Sequence, residues 1–467
     1  MKTQLLNLRE KYKTNPAWYW LLFTLFSFPL LPEYVSPFIL FAAYIVFKRQ
    51  WTKEGRFAKV GNIGKLELIL LTYMLISVLW SKTKLDTLGS AGLWWAVILV
   101  QIMIYNLART KKKIDTLLTT VVASAAISGI VGALQMVTYI LCQNGALNPE
   151  LVLTTPFYRN FDAFVYEHMP FKISTHMFYD RASGFYSNPN LLCCLMLVAF
   201  PMAAYLFLSA ETKKQKRFSF CSLIAISFGT ASTMTRAGCI LIIIQWAVLF
   251  ILFVKNHFTK AFSMGVPVLI TSIPALLVRS GKLSYYWIQT TYAERQVELI
   301  EQAAIKSSDN HFRIWSSMID YISHHIGVFI FGMGFGCEQT GNVLLGEYNL
   351  NKPHSHNFII EIWAEIGLIG IIALFVIIAY AVGKVFEIDL RDFKTLSLSM
   401  CILASFAGLV VFGLTDYIFN SPKQIILFTM VIGIIQAMSY TYDKHEIKTA
   451  RDLTRIAKAN MNSIIHQ

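Results

Sequence analysis

The chain has 467 residues, of which 55% are hydrophobic and only 15% charged; a soluble globular domain carries about 25% charge, so that class is excluded. The formal net charge of +14 does not point to nucleic acid, because the basic residues gather in short segments between apolar runs. The runs are continuous rather than alternating, which excludes a membrane β-barrel, and the seven cysteines show no metal or disulfide spacing.

The expected fold is an all-α polytopic membrane protein with about 12 transmembrane helices. In chain order the spans fall at about 17–31, 34–47, 66–80, 88–107, 114–141, 190–209, 218–234, 237–254, 261–278, 357–382, 395–415 and 423–441. The first two are short and form a hairpin around Pro32. No small-residue cleavage site follows the first run, so no cleaved signal peptide is expected. Lys and Arg set the orientation. The connector KRQWTKEGRFAKVGNIGK carries six of them; ARTKKK and ETKKQKR are similar. Alternate counting puts these three, the N-terminus and the basic tail after Lys444 on one side, which is the cytoplasmic one. The two long connectors, 142–189 and 279–356, fall opposite and hold nine Lys/Arg against eleven Asp/Glu. The organisation is thus 1–141 with five spans, a first extracytoplasmic loop 142–189, spans six to nine in 190–278, a large extracytoplasmic loop 279–356, and 357–467 with three spans and a cytoplasmic tail.

The large loop carries amphipathic helices. TTYAERQVELIEQAAI (290–305) has helical spacing. In 309–325, Phe312, Trp315, Ile319 and Ile322 share a face, with Asp309 as N-cap, which suits a helix lying along the membrane surface. FGMGFG (331–336) reads as a turn. NPN (188–190) reads as capping of the next span.

The stretch NKPHSHNFIIEIWAEIGLIG (351–370) gathers polar groups at the rim of an apolar segment. His354 and His356 sit at a helix N-terminus, whose dipole favours neutral imidazole. Asn357, Glu361 and Glu365 are four apart on one face, which should point to a wet interior and not to lipid. A neutral histidine there can act as a general base; capping and helix-tying are the alternative, and H-x-H completed by His311 or His324 would make a metal site. Arg181, Arg236 and Arg313 lie near the outer surface. Such arginines either snorkel to headgroups, make surface contacts, or bind phosphate through the planar guanidinium. Asp416, at the outer end of the eleventh span, could orient an arginine or the base.

Four stretches together resemble the O-antigen ligase and surface-polysaccharide polymerase superfamily: RASGFYSNPN (181–190), TMTRAG (233–238), FRIWSSMIDYISHHIGVFIFGMGFG (312–336), and His356-Asn357 followed by nine residues, Gly367 and Gly370. The resemblance covers roughly 180–380. It implies a GT-C-like, metal-independent glycosyltransferase with no cofactor. His356 would be the catalytic base, and Arg236 and Arg313, with Arg181, would contact the donor's phosphates; His354, Asn357 and Glu361 would line the substrate site. The implied partners are an undecaprenyl-pyrophosphate-linked glycan donor, a glycan or lipid-linked acceptor, the bilayer and other polysaccharide-assembly membrane proteins. The expected location is the inner membrane, with the site facing outward. Polymerisation is favoured over ligation to lipid A core or protein. The rival class is a lipid-linked oligosaccharide flippase, since twelve spans also make a transporter plan.

Overall fold

The computed structural model describes residues 14–33, 35–143, 181–279 and 311–442. The expected helix 290–305, Asp309 and the basic tail lie outside them. Among the described residues there is no β-strand, and eight helices are long and apolar enough to cross a membrane. The protein is an all-α polytopic membrane protein.

The helices follow the apolar runs. α1 (Pro16–Ser27) and α2 (Ser36–Lys53) form the expected hairpin. At 12 residues, α1 is about 18 Å long and falls short of a ~30 Å hydrocarbon core. Then come α3 (Gly61–Ile76), α4 (Lys84–Leu107), α5 (Lys111–Gln143), α6 (Pro189–Leu208) and α7 (Lys213–Ser232). α8 (Arg236–Arg279) holds both the eighth and ninth expected spans, divided where His257 leaves helical geometry at φ −142. α9 covers residues 311–324 and is followed by α10 (Ile326–Phe331) and α11 (Glu338–Tyr348). α12 (Phe358–Phe386), α13 (Phe393–Gly413) and α14 (Pro422–Thr441) complete the bundle.

α6 is its axis. Asn188 caps it by accepting the Asn190 N–H, Pro189 opens it, and every residue but Asn190 and Leu206 is buried. It packs against α5, α7, α8 and α13. Its neighbours reach it with polar side chains as well: Gln245 donates to the Leu197 carbonyl at 3.0 Å and Ser405 to that of Val198 at 2.8 Å. On the outside of α8, Ile240, Ile244, Val248 and Ile251 form an exposed stripe at helical spacing, as a lipid-facing surface does.

The two ends of the bundle differ. At one, the basic connectors are tied together: Asn106 bonds Lys59, Lys111 meets Asp392 at 3.8 Å, and Lys394 pairs with Glu211. The other end carries Glu33, which accepts from Ser187 at 2.7 Å and Ser421 at 2.9 Å, and the stretches 181–187, 233–235, 332–336 and 353–357.

α12 is not one helix. Gly367, at φ 66 and ψ −170, breaks it into two limbs. The carbonyls freed at the break are taken by the glycine-rich turn: Met333 N–H donates to Ala364 at 2.8 Å and Gly334 N–H to Glu365 at 2.9 Å. A Cβ on Gly332 would lie 2.3 Å from the Glu365 oxygen, and one on Gly367 would lie 2.3 Å from the Ile330 oxygen. Only two glycines let these backbones touch. The first limb is therefore a short half-helix fixed from behind, with His356 just before its start.

On α9 the apolar residues divide between the protein and its surroundings. Of the four α9 residues assigned to a common face, Ile322 is buried and Trp315 half-buried, but Phe312 and Ile319 are 67% and 44% exposed. Ile314, Met318 and Ile322 make the packing contact instead. At a membrane surface an apolar stripe has two apolar neighbours to choose from, protein and lipid, so periodicity alone does not say which face turns inward.

Candidate active site

The loop before α12 is shaped by its own side chains. Asn357 is the N-cap, its side-chain oxygen accepting from Ile359 and Ile360, while its amide donates to the Leu414 carbonyl at 3.0 Å. Glu361, fully buried, accepts the Ser355 N–H at 2.6 Å. Between these anchors His356 takes φ 55, a left-handed conformation that is unfavourable for a residue with a Cβ. The His356 N–H donates to His354 Nδ1 at 3.2 Å.

This places the His356 ring against Asp416, Nδ1 to Oδ1 at 3.0 Å. Oδ1 also accepts the Tyr417 N–H at 2.9 Å, and Oδ2 accepts from the Asn190 amide at 2.9 Å. Asn190 is held in turn: Arg181 Nη2 donates to its Oδ1 at 2.7 Å and Thr235 Oγ1 donates at 3.1 Å. Arg181 further donates to the Thr233 carbonyl and to Thr235 Oγ1, each at 2.8 Å. The result is a continuous relay, Arg181 to Asn190 to Asp416 to His356.

Burial alone would raise the Asp416 carboxyl, but the hydrogen bond and charge of His356, with His354 and Asn190, hold it well below the usual carboxylate range. It is an anion facing Nδ1 of His356, so Nδ1 carries a proton, and in the neutral form of the ring the lone pair would sit on Nε2. His354 is pushed down to about 3, by burial first and then by His356, and is neutral. His311 on α9 brings its ring to 5.1 Å from that of His356 and is likewise lowered by burial and then by His356.

Of the residues singled out from sequence, His354, His356, Asn357 and Arg181 meet here, with Glu361 directly behind them. Arg236, half-buried at the start of α8, lies within electrostatic reach of His311 and Arg279. Arg313 stands exposed on α9 two residues from His311, and its guanidinium makes no hydrogen bond or ion pair with a described residue. Glu361 and Glu365 face the protein interior, both with no exposure; Glu365 accepts from the Tyr417 hydroxyl at 3.0 Å. His324 bonds the Asp320 carbonyl at 2.9 Å and takes no part. Among the described residues, His354, His356 and Asp416 are the group that could hold a metal ion, with donor atoms within 4.8 Å of one another.

Residues 221–375 match the family model described as O-antigen ligase. Over that segment the chain is similar to the O-antigen ligase family. The resemblance to the O-antigen ligase/polymerase superfamily is borne out, and with it a membrane glycosyltransferase of that general type. No curated protein matches the sequence. The O-antigen ligase segment includes Arg236, Arg313, His354, His356, Asn357 and Glu361, while Arg181, Asn190 and Asp416 lie outside it. The site is thus completed by helices on both sides of the matched segment.

Asn190 is the residue that sequence reasoning misplaced. NPN reads as capping, and Asn188 does cap α6. Asn190, one turn position further on, turns its side chain to Asp416 instead. The only local signal is that an asparagine opens an otherwise apolar helix whose cap is already supplied.

Proposed function

We propose that the protein transfers a glycan from undecaprenyl pyrophosphate to a sugar hydroxyl at the extracytoplasmic face of the inner membrane, extending a surface polysaccharide. The observation that carries this reading is the His356–Asp416 pair, 3.0 Å apart, with the second Asp416 oxygen held by Asn190. A hydroxyl is a weak nucleophile. His356 Nε2 takes its proton as the new bond to the anomeric carbon forms, and the bond from that carbon to the phosphate oxygen breaks with the electron pair leaving on pyrophosphate. Displacement on the far side inverts the anomeric centre. Asp416 keeps the imidazole in the right tautomer and stabilises the imidazolium.

The leaving group needs charge stabilisation more than protonation. Arg236 and Arg313 are assigned to it, because their guanidinium groups are not committed to hydrogen bonds with the described protein and both lie on elements that carry or approach His311. Fixed cations of this kind act by electrostatic preorganisation. Arg181 is assigned a positioning role, since its donors are spent on Asn190, Thr233 and Thr235. The sidedness is supported by the gathering of basic connectors at the bundle end opposite His356.

The test is His356→Ala in cells, with surface polysaccharide followed by gel electrophoresis. Lipid-linked repeats are expected to accumulate unpolymerised. Wild-type chain length at normal expression of the variant would remove the base assignment.

A further inference from the structure

At the same end of the bundle as His356, a cleft of about 770 Å³ opens between α9, α10, α11 and the turn after α3. That is the size of a small-ligand site. Its lining joins rings, Trp80, Tyr321 and His325, to polar heads, Lys82, Asn342 and Glu347.

The rings are held in place. Trp80 Nε1 donates to the Gly332 carbonyl at 3.1 Å, and the Tyr321 and His325 rings stack at 4.1 Å. The wall behind them is cross-tied by Gln339, which donates to Ser81 Oγ and to the Met333 carbonyl at 2.7 Å each. The polar heads, in contrast, are uncommitted. Lys82, Asn342 and Glu347 are exposed, and the side chains of Lys82 and Asn342 make no hydrogen bond or ion pair with a described residue.

This combination fits a carbohydrate. A sugar has apolar C–H faces that pack on aromatic rings and a fringe of hydroxyls that both donate and accept. An amide, a carboxylate and an ammonium supply both roles. An isoprenoid tail would have to desolvate those three groups without compensation. A phosphate would be opposed by Glu347.

The position is equally informative. His311, at the start of α9, is in ring contact with His356, and Tyr321 lies ten residues further along the same helix, about 15 Å at 1.5 Å per residue. That is the span of a few sugar units. We propose that the cleft is a glycan-binding subsite, holding the distal sugars of the acceptor chain while its terminal hydroxyl lies at His356. The inference rests on the reading of His356 as base to a sugar hydroxyl, and it makes the acceptor a glycan chain.

The test measures binding apart from chemistry. An oligosaccharide of two repeat units, cut from the cell's own polysaccharide and free of lipid, is titrated calorimetrically into the full chain in lipid nanodiscs. Wild type and His356→Ala are expected to bind it alike. Asn342→Ala combined with Glu347→Ala, both on the exposed face of α11, should weaken binding roughly tenfold, the loss of two or three hydrogen bonds, with the thermal melt unchanged. The same double variant should shorten the polysaccharide in cells. Equal binding by all proteins, no binding by any, or displacement of the sugar by undecaprenol would overturn the subsite. Binding lost in the double variant, from a wild type that performs no transfer, would keep the subsite and remove the proposed reaction instead.

Discussion

Asn190 and Asp416 are 226 residues apart in the chain and 2.9 Å apart in space, amide to carboxylate. One stands in the first turn of the most enclosed helix and the other in the turn before α14. The hydrogen bond fixes the oxygen that His356 does not use, and so fixes the one it does.

Asn190→Ala should therefore lower kcat with little change in KM for the lipid-linked donor. A drop of roughly tenfold is expected for one lost hydrogen bond to a charged group. Steady-state assays with the purified donor check this. A raised KM at constant kcat would mean that Asn190 touches substrate.

His356→Ala should cost ~10²–10⁴-fold in turnover, the usual worth of a positioned base. Asp416→Asn leaves the shape intact but removes the charge that sets the tautomer, and should approach the same loss. The double variant should be little worse than either single one, because the two side chains act as a unit. Additive losses would show that Asp416 works independently.

Gly332→Ala and Gly367→Ala each put a methyl 2.3 Å from a carbonyl oxygen, at φ 77 and φ 66. With ψ 176 and −170 both lie in a backbone region that is essentially glycine's alone, which costs about 1–3 kcal/mol per residue, and the overlap adds overpacking of about 1–3 kcal/mol. Both variants should melt lower and express poorly. Gly346→Ala, with open space around the new methyl, should be neutral or slightly stabilising. A melting curve of either of the first two variants that overlays wild type would contradict the backbone contact.

His354 is held near pH 3 in the fold, against an ordinary value of 6.5. The folded value is below the unfolded one, so the unfolded chain binds the extra proton first. Its contribution to stability is whole above about pH 6.5 and is lost as the pH falls toward 3. His354→Asn keeps an acceptor for the His356 N–H but cannot protonate. Its melting temperature should fall less than that of wild type between pH 7.5 and pH 5. Equal falls would assign the acid sensitivity to another group.

Sidedness is open to labelling. A cysteine at Lys82→Cys should react with a membrane-impermeant maleimide applied to spheroplasts, and one at Lys112→Cys should not. Both positions are exposed. The reverse pattern would turn the protein over and put His356 on the cytosolic side.

The apolar runs were readable because a bilayer demands them: the greater part of each of the twelve stretches lies in a helix, and eight of the described helices are long and apolar enough to cross a membrane. The motif around His356 was readable because polar residues at a span's rim are costly without use. The relay was not. Asp416 is sixty residues from His356, and no periodicity links them. Arg181 and Asn190 looked like a phosphate ligand and a cap, since a sequence does not show that an arginine's donors are already taken. The glycines of FGMGFG read as a turn and Gly367 only as part of a motif; the packing of one break against the other explains both. On α9, periodicity grouped Phe312, Trp315, Ile319 and Ile322 but did not show that Ile314 and Met318 join Ile322 in the packing contact.

The enclosure of α6 has a consequence for biogenesis. A ribosome delivers this helix long before it delivers α13 and α14, which cover it, so the helix waits in the bilayer with its eventual neighbours still unmade. Asp416 is the last of the relay residues to be synthesised. A nascent chain stalled before it holds His356 without its carboxylate partner, and the relay closes only when the final helices dock.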